Sequence, residues 1–214
     1  MRAGAAKDER NSRSRTPSSA KREAILVAAR ELVARSGFKD TQINAVAETA
    51  SVALGTLYRY FPSKAELMVE VVGLVAQREV DAVARIAGRE GSPTERLSAS
   101  AWLFASRALL GRKMAHALVA EPVEPEIESA RLIYRRKLAR IFEGIIEQGI
   151  KCGEFPDQDV QASGACIVGS LFEGLIGPLA HDSRSTDTER QNQAKAIVEF
   201  CLRGVGGNQV KAIR

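Results

Sequence analysis

The sequence predicts an all-α protein in two parts: an N-terminal three-helix helix-turn-helix domain and a larger helical domain, about nine helices in total. Three observations predict this. Apolar residues recur at helical spacing from Ile25 onward, and Ser/Thr-x-x-Glu patterns open one helix after another. No stretch alternates apolar and polar residues as a half-buried strand would. The chain of 214 residues is 45% hydrophobic, enough to bury a core. Only 5% of it is aromatic, which argues against an aromatic-lined groove for sugars or single strands.

Residues 1–19 show no apolar period and are rich in Ser, Arg and Ala, so they read as a flexible basic arm. Ile25, Ala28, Ala29, Leu32 and Val33 then lay one apolar stripe along a first helix, which Gly37 ends. Asp40 to Lys64 divides into a short helix from Gln42 to Thr49 capped by Thr41, a turn at Ala50-Ser51-Val52, and a second short helix from Ala53 to Arg59. Ser63-Lys-Ala-Glu66 opens a long helix lasting to about Ala87, and Ser92-Pro-Thr-Glu95 opens the next with Pro at its first position. A helix from Arg112 to Ala120 stops at Glu121-Pro122. Pro125 starts another that ends near Gly149, and Asp157 caps one from Gln158 to about Gly177. Thr186-Asp-Thr-Glu189 opens the last, which carries Ala194, Ile197, Val198, Cys201 and Leu202.

The chain therefore divides into an arm (1–19), a helix-turn-helix domain (20–66), a larger domain (67–206) and a tail (207–214). Charge follows this division. The first 64 residues hold twelve basic against six acidic side chains, while the remainder holds nineteen against twenty. Positive charge gathered at one end points to a polyanion met by that end. The start of the chain has no apolar segment of the secretory kind. The stretch Val160 to Ala180 is interrupted by Gln161, Glu173, Pro178 and four glycines, short of the unbroken apolar run of a membrane span. With three scattered cysteines, the expectation is a cytoplasmic protein without a disulfide framework. Cys166 and Cys201 fall on apolar helical faces and are expected to be buried, Cys152 exposed.

Asp40 to Lys64 carries the functional signal. Val46 and Ala47 give the first short helix its apolar face, and Val52, Leu57 and Phe61 give the second helix its own. Two short helices across a tight turn are the pattern that places a second helix in a DNA major groove. The strings Ile25-Leu-Val-Ala-Ala-Arg-Glu-Leu, Ser36-Gly-Phe and Gly55-Thr-Leu-Tyr-Arg-Tyr-Phe-Pro-Ser-Lys64 resemble the tetracycline-repressor (TetR) family of regulators, from about Lys21 to Val72.

The resemblance implies a repressor that binds double-stranded operator DNA as a homodimer and is released by a small organic effector. It places Thr41 and Gln42 at the DNA-touching start of the second helix, and Ala53, Leu54, Gly55 and Thr56 at the exposed start of the recognition helix. Tyr58, Tyr60 and Lys64 stand at phosphate-contacting positions. Two residues depart from the pattern. Ser51 replaces the usual turn glycine, and Leu54 stands where Lys or Arg is common, which leaves only apolar contact to bases. The competing reading is a helical interaction module with weakened sequence-specific DNA binding.

Trp102, Phe104, Met114, His116, Tyr134 and Phe172 lie on the helices that wall the effector cavity in that family, with core packing as the competing role of each. Tyr134 and His116 are the candidate polar anchors for a mostly apolar ligand. Two scattered histidines and no catalytic constellation predict neither metal, cofactor nor enzyme activity. Gly204-Val-Gly-Gly207 follows a helix and is no nucleotide loop. The two final helices are the expected dimer interface. Their apolar stripe and Gly164, Gly169 and Gly174 let a symmetry mate approach closely.

Overall fold

A computed structural model describes residues 17–180 and 185–206. Most of the expected arm, the tail and the end of the Gly204–Gly207 run lie outside the described residues. The described residues form nine helices and no strand: α1 (Pro17–Asp40), α2 (Ile43–Thr49), α3 (Leu54–Tyr60), α4 (Lys64–Ala87), α5 (Pro93–Leu110), α6 (Arg112–Val119), α7 (Pro125–Cys152), α8 (Val160–Leu179) and α9 (Asp187–Gly204).

The termini follow capping chemistry. Complete boxes close α5 at Ser92/Glu95 and α9 at Thr186/Glu189, and the Ser63 hydroxyl accepts from the Glu66 N–H at 3.1 Å to open α4. Four boundaries differ from expectation. Helix α1 begins at Pro17, inside the expected arm, a start signalled by proline at a first helical position. Thr41 does not cap α2; Gln42 precedes it with no side-chain cap bond. Helix α7 runs past Gly149 to Cys152 and stops at Gly153, whose φ of 81° is left-handed. Gly149 instead seats the Phe155 ring, 2.1 Å from where a Cβ would stand. Helix α8 is capped by Asp159, which accepts from the Ala162 N–H at 2.9 Å, and not by Asp157.

Two apolar cores form. The first joins α1, α2, α3 and the start of α4 through Ile25, Val33, Val46, Leu57 and Leu67, and takes in Ala117 of α6 with Ile127 and Ala130 of α7. The second joins α5, α7, α8, α9 and the rest of α4 through Val83, Leu97, Phe142, Leu171 and Val198. Helix α4 therefore runs from one core into the other.

The last two helices correct three expectations. The α9 stripe packs inside its own chain: Ala194, Val198, Cys201 and Leu202 are buried, and Ile197 lies 2.8 Å from where a Gly174 Cβ would stand. Gly164 likewise admits Glu143 of α7, so of the three glycines only Gly169 faces open space. Cys166 is exposed, because α8 turns Gly164, Ile167, Val168, Leu171 and Leu175 to the core and Ala162, Ala165, Cys166 and Gly169 away from it. Finally, α8 is long and apolar enough, by length and composition alone, to cross a membrane. The interruptions counted in the sequence are mostly glycines, which lower its hydropathy little.

Candidate nucleic-acid interface and ligand cavity

Leu57 (0% exposed) and Phe61 (2%) anchor α3 to the first core, which turns the opposite side of this short helix outward. Ala53, Leu54, Gly55 and Tyr58 are all exposed there, as is Gln42 at the head of α2; Thr56 is partly exposed. Ser51 makes the turn between the two helices with φ of 53°, the left-handed conformation that a glycine would adopt without strain. Its N–H donates to the Glu48 carbonyl at 3.0 Å, and the Val52 N–H to Ala47 at 3.0 Å. The start of α3 thus offers a bare, mostly apolar surface, flanked by hydroxyl and ammonium groups.

Those flanking groups are already oriented. The Tyr60 hydroxyl lies 3.1 Å from that of Ser18 in α1, and this bond, aided by Arg59 and Lys21, draws the tyrosine below its ordinary pKa. Arg59 stacks over the Tyr60 ring. Lys64 donates to the Lys39 carbonyl at 3.1 Å, which ties α4 to the end of α1 and leaves two ammonium protons for another acceptor. Thr41 differs from expectation. It is 1% exposed and its hydroxyl donates to the Gly37 carbonyl at 2.6 Å, so it fastens the kink in α1 and presents nothing to solvent.

Between the two cores lies a cavity of about 120 Å³, walled by α4 (Val72, Val75, Ala76, Glu79), α5 (Phe104, Arg107, Ala108), α6 (Met114, Ala115, Leu118, Val119), α7 (Arg131, Tyr134, Leu138) and Phe172 of α8. Its surface is overwhelmingly apolar. Phe172 stacks on Phe104 with ring centres 5.3 Å apart and carries the Arg135 guanidinium over its ring at 4.8 Å. The charged edge is a two-pronged pair in which Arg107 donates to both Glu79 carboxylate oxygens, at 2.6 and 2.7 Å, which raises the arginine's pKa further. Of the residues expected around a ligand, Phe104, Met114, Tyr134 and Phe172 line this cavity. Trp102 and His116 do not; Trp102 packs against the second core.

The bacterial tetR family of regulatory proteins matches residues 25–71, and the C-terminal region of QacR-like proteins matches residues 114–206. The repressor KstR of Rhodococcus jostii is 30% identical over 190 residues, covering 85% of this chain and 82% of that protein. The chain belongs to the TetR family. It is thereby a DNA-binding transcriptional regulator and not an enzyme. KstR of Mycolicibacterium smegmatis is more similar but over less, 42% identical across 78 residues, and the chain spans 38% of its length in that match. The regulator FadR of Bacillus subtilis, solved in complex with stearoyl-CoA, shares the fold with a TM-score of 0.73 at 20% identity, over 86% of this chain and 98% of that one.

Sequence reasoning missed residues that matter to a TetR-type head. Ser18 and Arg22 lie near the N-terminus of α1, Ser18 inside the expected arm and Arg22 ahead of the apolar stripe that begins at Ile25, where no helical period gave a reason to look. Arg22 pairs with Glu70 at 2.7 Å and stacks over the Phe61 ring at 5.1 Å. Glu121 reads in the sequence as a helix stop, yet its carboxylate accepts from the N–H groups of Phe38 (3.0 Å) and Lys39 (2.7 Å), more than 80 residues away. Arg131 in α7, which the helix pattern did not single out, is 5% exposed. Burial lowers its pKa, and Glu128 opposes that shift.

Proposed function

We propose that the protein is a transcriptional repressor that binds operator DNA as a homodimer and leaves it when a small organic molecule enters the cavity. The observation that carries this is the cavity's position, between the core of the DNA-binding head and the core of the body, with α4 running through both. Its free volume of about 120 Å³ is well below the ~300 Å³ at which drug-sized ligands begin to be held. A ligand of ordinary size enters only by moving its walls. Two of those walls, α4 and α6, also pack on the head, so binding favours a different head position from the one that fits DNA. The apolar lining suits a mostly apolar ligand, with Tyr134 and the Glu79–Arg107 pair as its polar anchors. Because a FadR binds stearoyl-CoA, acyl-CoA thioesters are the first compounds to test.

On DNA, Tyr58, Tyr60 and Lys64 hold phosphates, Gln42 and Thr56 reach base edges, and Leu54 makes apolar contact such as that with a thymine methyl. The dimer forms through the faces of α8 and α9 left open by the core. Ala162, Ala165, Cys166 and Gly169 give a close-approach surface on α8, and Phe200, 58% exposed, is the large apolar side chain that α9 leaves outside the core. Such a protein works in the cytoplasm, with α8 buried between protomers and not in lipid. The exposure of Leu54 beside Ala53 and Gly55, none of which can read a base by hydrogen bonding, favours the second reading of a helical module with weakened DNA specificity. Equal affinity for its own upstream DNA and for scrambled DNA would establish that reading.

A thermal-shift screen with acyl-CoA thioesters and other apolar metabolites tests the cavity. A ligand at 100 times its Kd adds about 2.7 kcal/mol of stability. Ala108→Phe, which fills the space, should abolish that gain; an undiminished gain would place the ligand elsewhere.

A further inference from the structure

The segment 37–41, where α1 breaks and turns into α2, is held at its carbonyls by Thr41 and Lys64 of the head and at its N–H groups by a residue from outside the head. Gly37 adopts φ 83° and ψ 179°, so the backbone leaves the helix there and restarts it at Phe38. The N–H groups of Phe38 and Lys39 are the unpaired donors of that restart, and both are taken by the carboxylate of Glu121, from the segment joining α6 to α7. Glu121 comes so close that a Cβ on Gly37 would lie 2.5 Å from its Oε2. A charged acceptor on two backbone donors is a strong cap, and it belongs to the body of the molecule.

The position of Glu121 is set by Arg131. That guanidinium donates to the Glu121 carbonyl at 2.9 Å and to the Ala117 carbonyl, pairs with Glu128 at 3.0 Å, and lies over the Phe38 ring at 5.6 Å. Arg131 also forms part of the cavity wall. Its Nε is buried with no partner, so it already bears one unmade bond. Releasing a second partner would leave a buried cation still less compensated, and a displaced Arg131 therefore carries its carbonyls along.

We propose that Arg131 and Glu121 are positioning residues that report occupancy of the cavity to the DNA-binding head. Filling the cavity shifts the α7 wall and the end of α6, Arg131 draws Glu121 with it, and the carboxylate leaves the amides of Phe38 and Lys39. The restart of α1 then loses its cap, and α2 loses the fixed base from which the helix-turn-helix is set. This inference rests on the reading of the cavity as the effector site.

The test uses a filled cavity in place of a ligand. Ala108→Phe puts a ring into the space, and Ala108→Leu is a milder filler should the first fail to fold. Each is made in the full chain with and without Glu121→Gln, and affinity for the protein's own upstream DNA is measured together with hydrogen exchange at Phe38 and Lys39. Filling should weaken DNA binding about tenfold with Glu121 present, within the range of typical allosteric couplings, and speed exchange at those two amides. In the Glu121→Gln background the same filling should change affinity less than about twofold, since the link is already cut. An equal loss in both backgrounds would overturn the link while leaving the cavity as the effector site. No loss in either background, in folded proteins, would overturn the cavity reading and the link with it.

Discussion

Replacing Ser51 by glycine should stabilise the protein, because the turn of the helix-turn-helix is strained at that residue. Ser51 holds φ at 53°, where the Cβ of an L-residue crowds the following carbonyl at a cost of roughly 1–2 kcal/mol. Glycine removes that cost but loses about 0.5–1 kcal/mol more backbone entropy on folding. Taking the middle of each range, the difference is a gain of about 0.75 kcal/mol. For a chain of this size each kcal/mol moves the melting temperature by about 2–4 °C, so Ser51→Gly should raise it by about 1.5–3 °C in a thermal denaturation experiment. The turn's hydrogen bonds are made by backbone groups that glycine keeps, and affinity for DNA should stay within about twofold. Ser51→Ala is the control, since alanine keeps the Cβ and should give no stabilisation. If glycine lowered the melting temperature, or alanine raised it as far, strain at φ would not be the governing factor.

Four further outcomes follow from named contacts. Lys64→Ala should weaken binding to every DNA sequence alike and reduce the slope of log affinity against log salt by about one unit, because one phosphate contact is lost; a sequence-dependent loss would make Lys64 a base reader. Phe200→Glu should give monomers by light scattering with the helical circular-dichroism signal intact, because a charge in the proposed seam is buried without a partner; a persistent dimer would move the interface off α9. Gly149→Ala should destabilise the fold by about 1–3 kcal/mol in urea titration, since the new Cβ would stand 2.1 Å from the Phe155 ring. Burial pushes the Cys201 thiol up to about 11, so at pH 8 only about one molecule in a thousand carries its thiolate. A disulfide reagent should modify Cys152 readily and leave Cys201 untouched, with Cys166 reacting in the Phe200→Glu monomer and protected in the dimer.

Local chemistry made most of the fold legible in the sequence. Capping boxes at Ser92 and Thr186 and prolines at Pro93 and Pro125 act within one turn, and they place α5, α7 and α9 to within a residue or two at their starts. The recognition helix was legible because Leu57 and Phe61 must face inward, which leaves Ala53, Leu54 and Tyr58 outside. What was not legible depends on distant neighbours. The α9 stripe is an apolar face either way, and only the packing of α5 and α8 decides that it serves the chain's own core. Cys166 belongs to a helix apolar on all sides, where periodicity cannot say which side meets the core. Thr41 has the composition of a cap, yet its hydroxyl donates back to the Gly37 carbonyl and caps nothing. Glu121 and Arg131 gain their roles from partners in α1 and α6, and charge spacing within α7 carries no trace of them.

On the proposed function, the dimer binds its operator and loses it when the cavity is occupied. A fluorescently labelled duplex from the DNA upstream of the protein's own gene, titrated by anisotropy with and without the compound that most raises the melting temperature, measures this directly. Two protomers should bind each duplex, in preference to scrambled DNA, and affinity should fall at least about tenfold when the compound saturates the protein. Unchanged affinity with bound compound would mean that the ligand favours neither head position, and that the cavity does not control DNA binding.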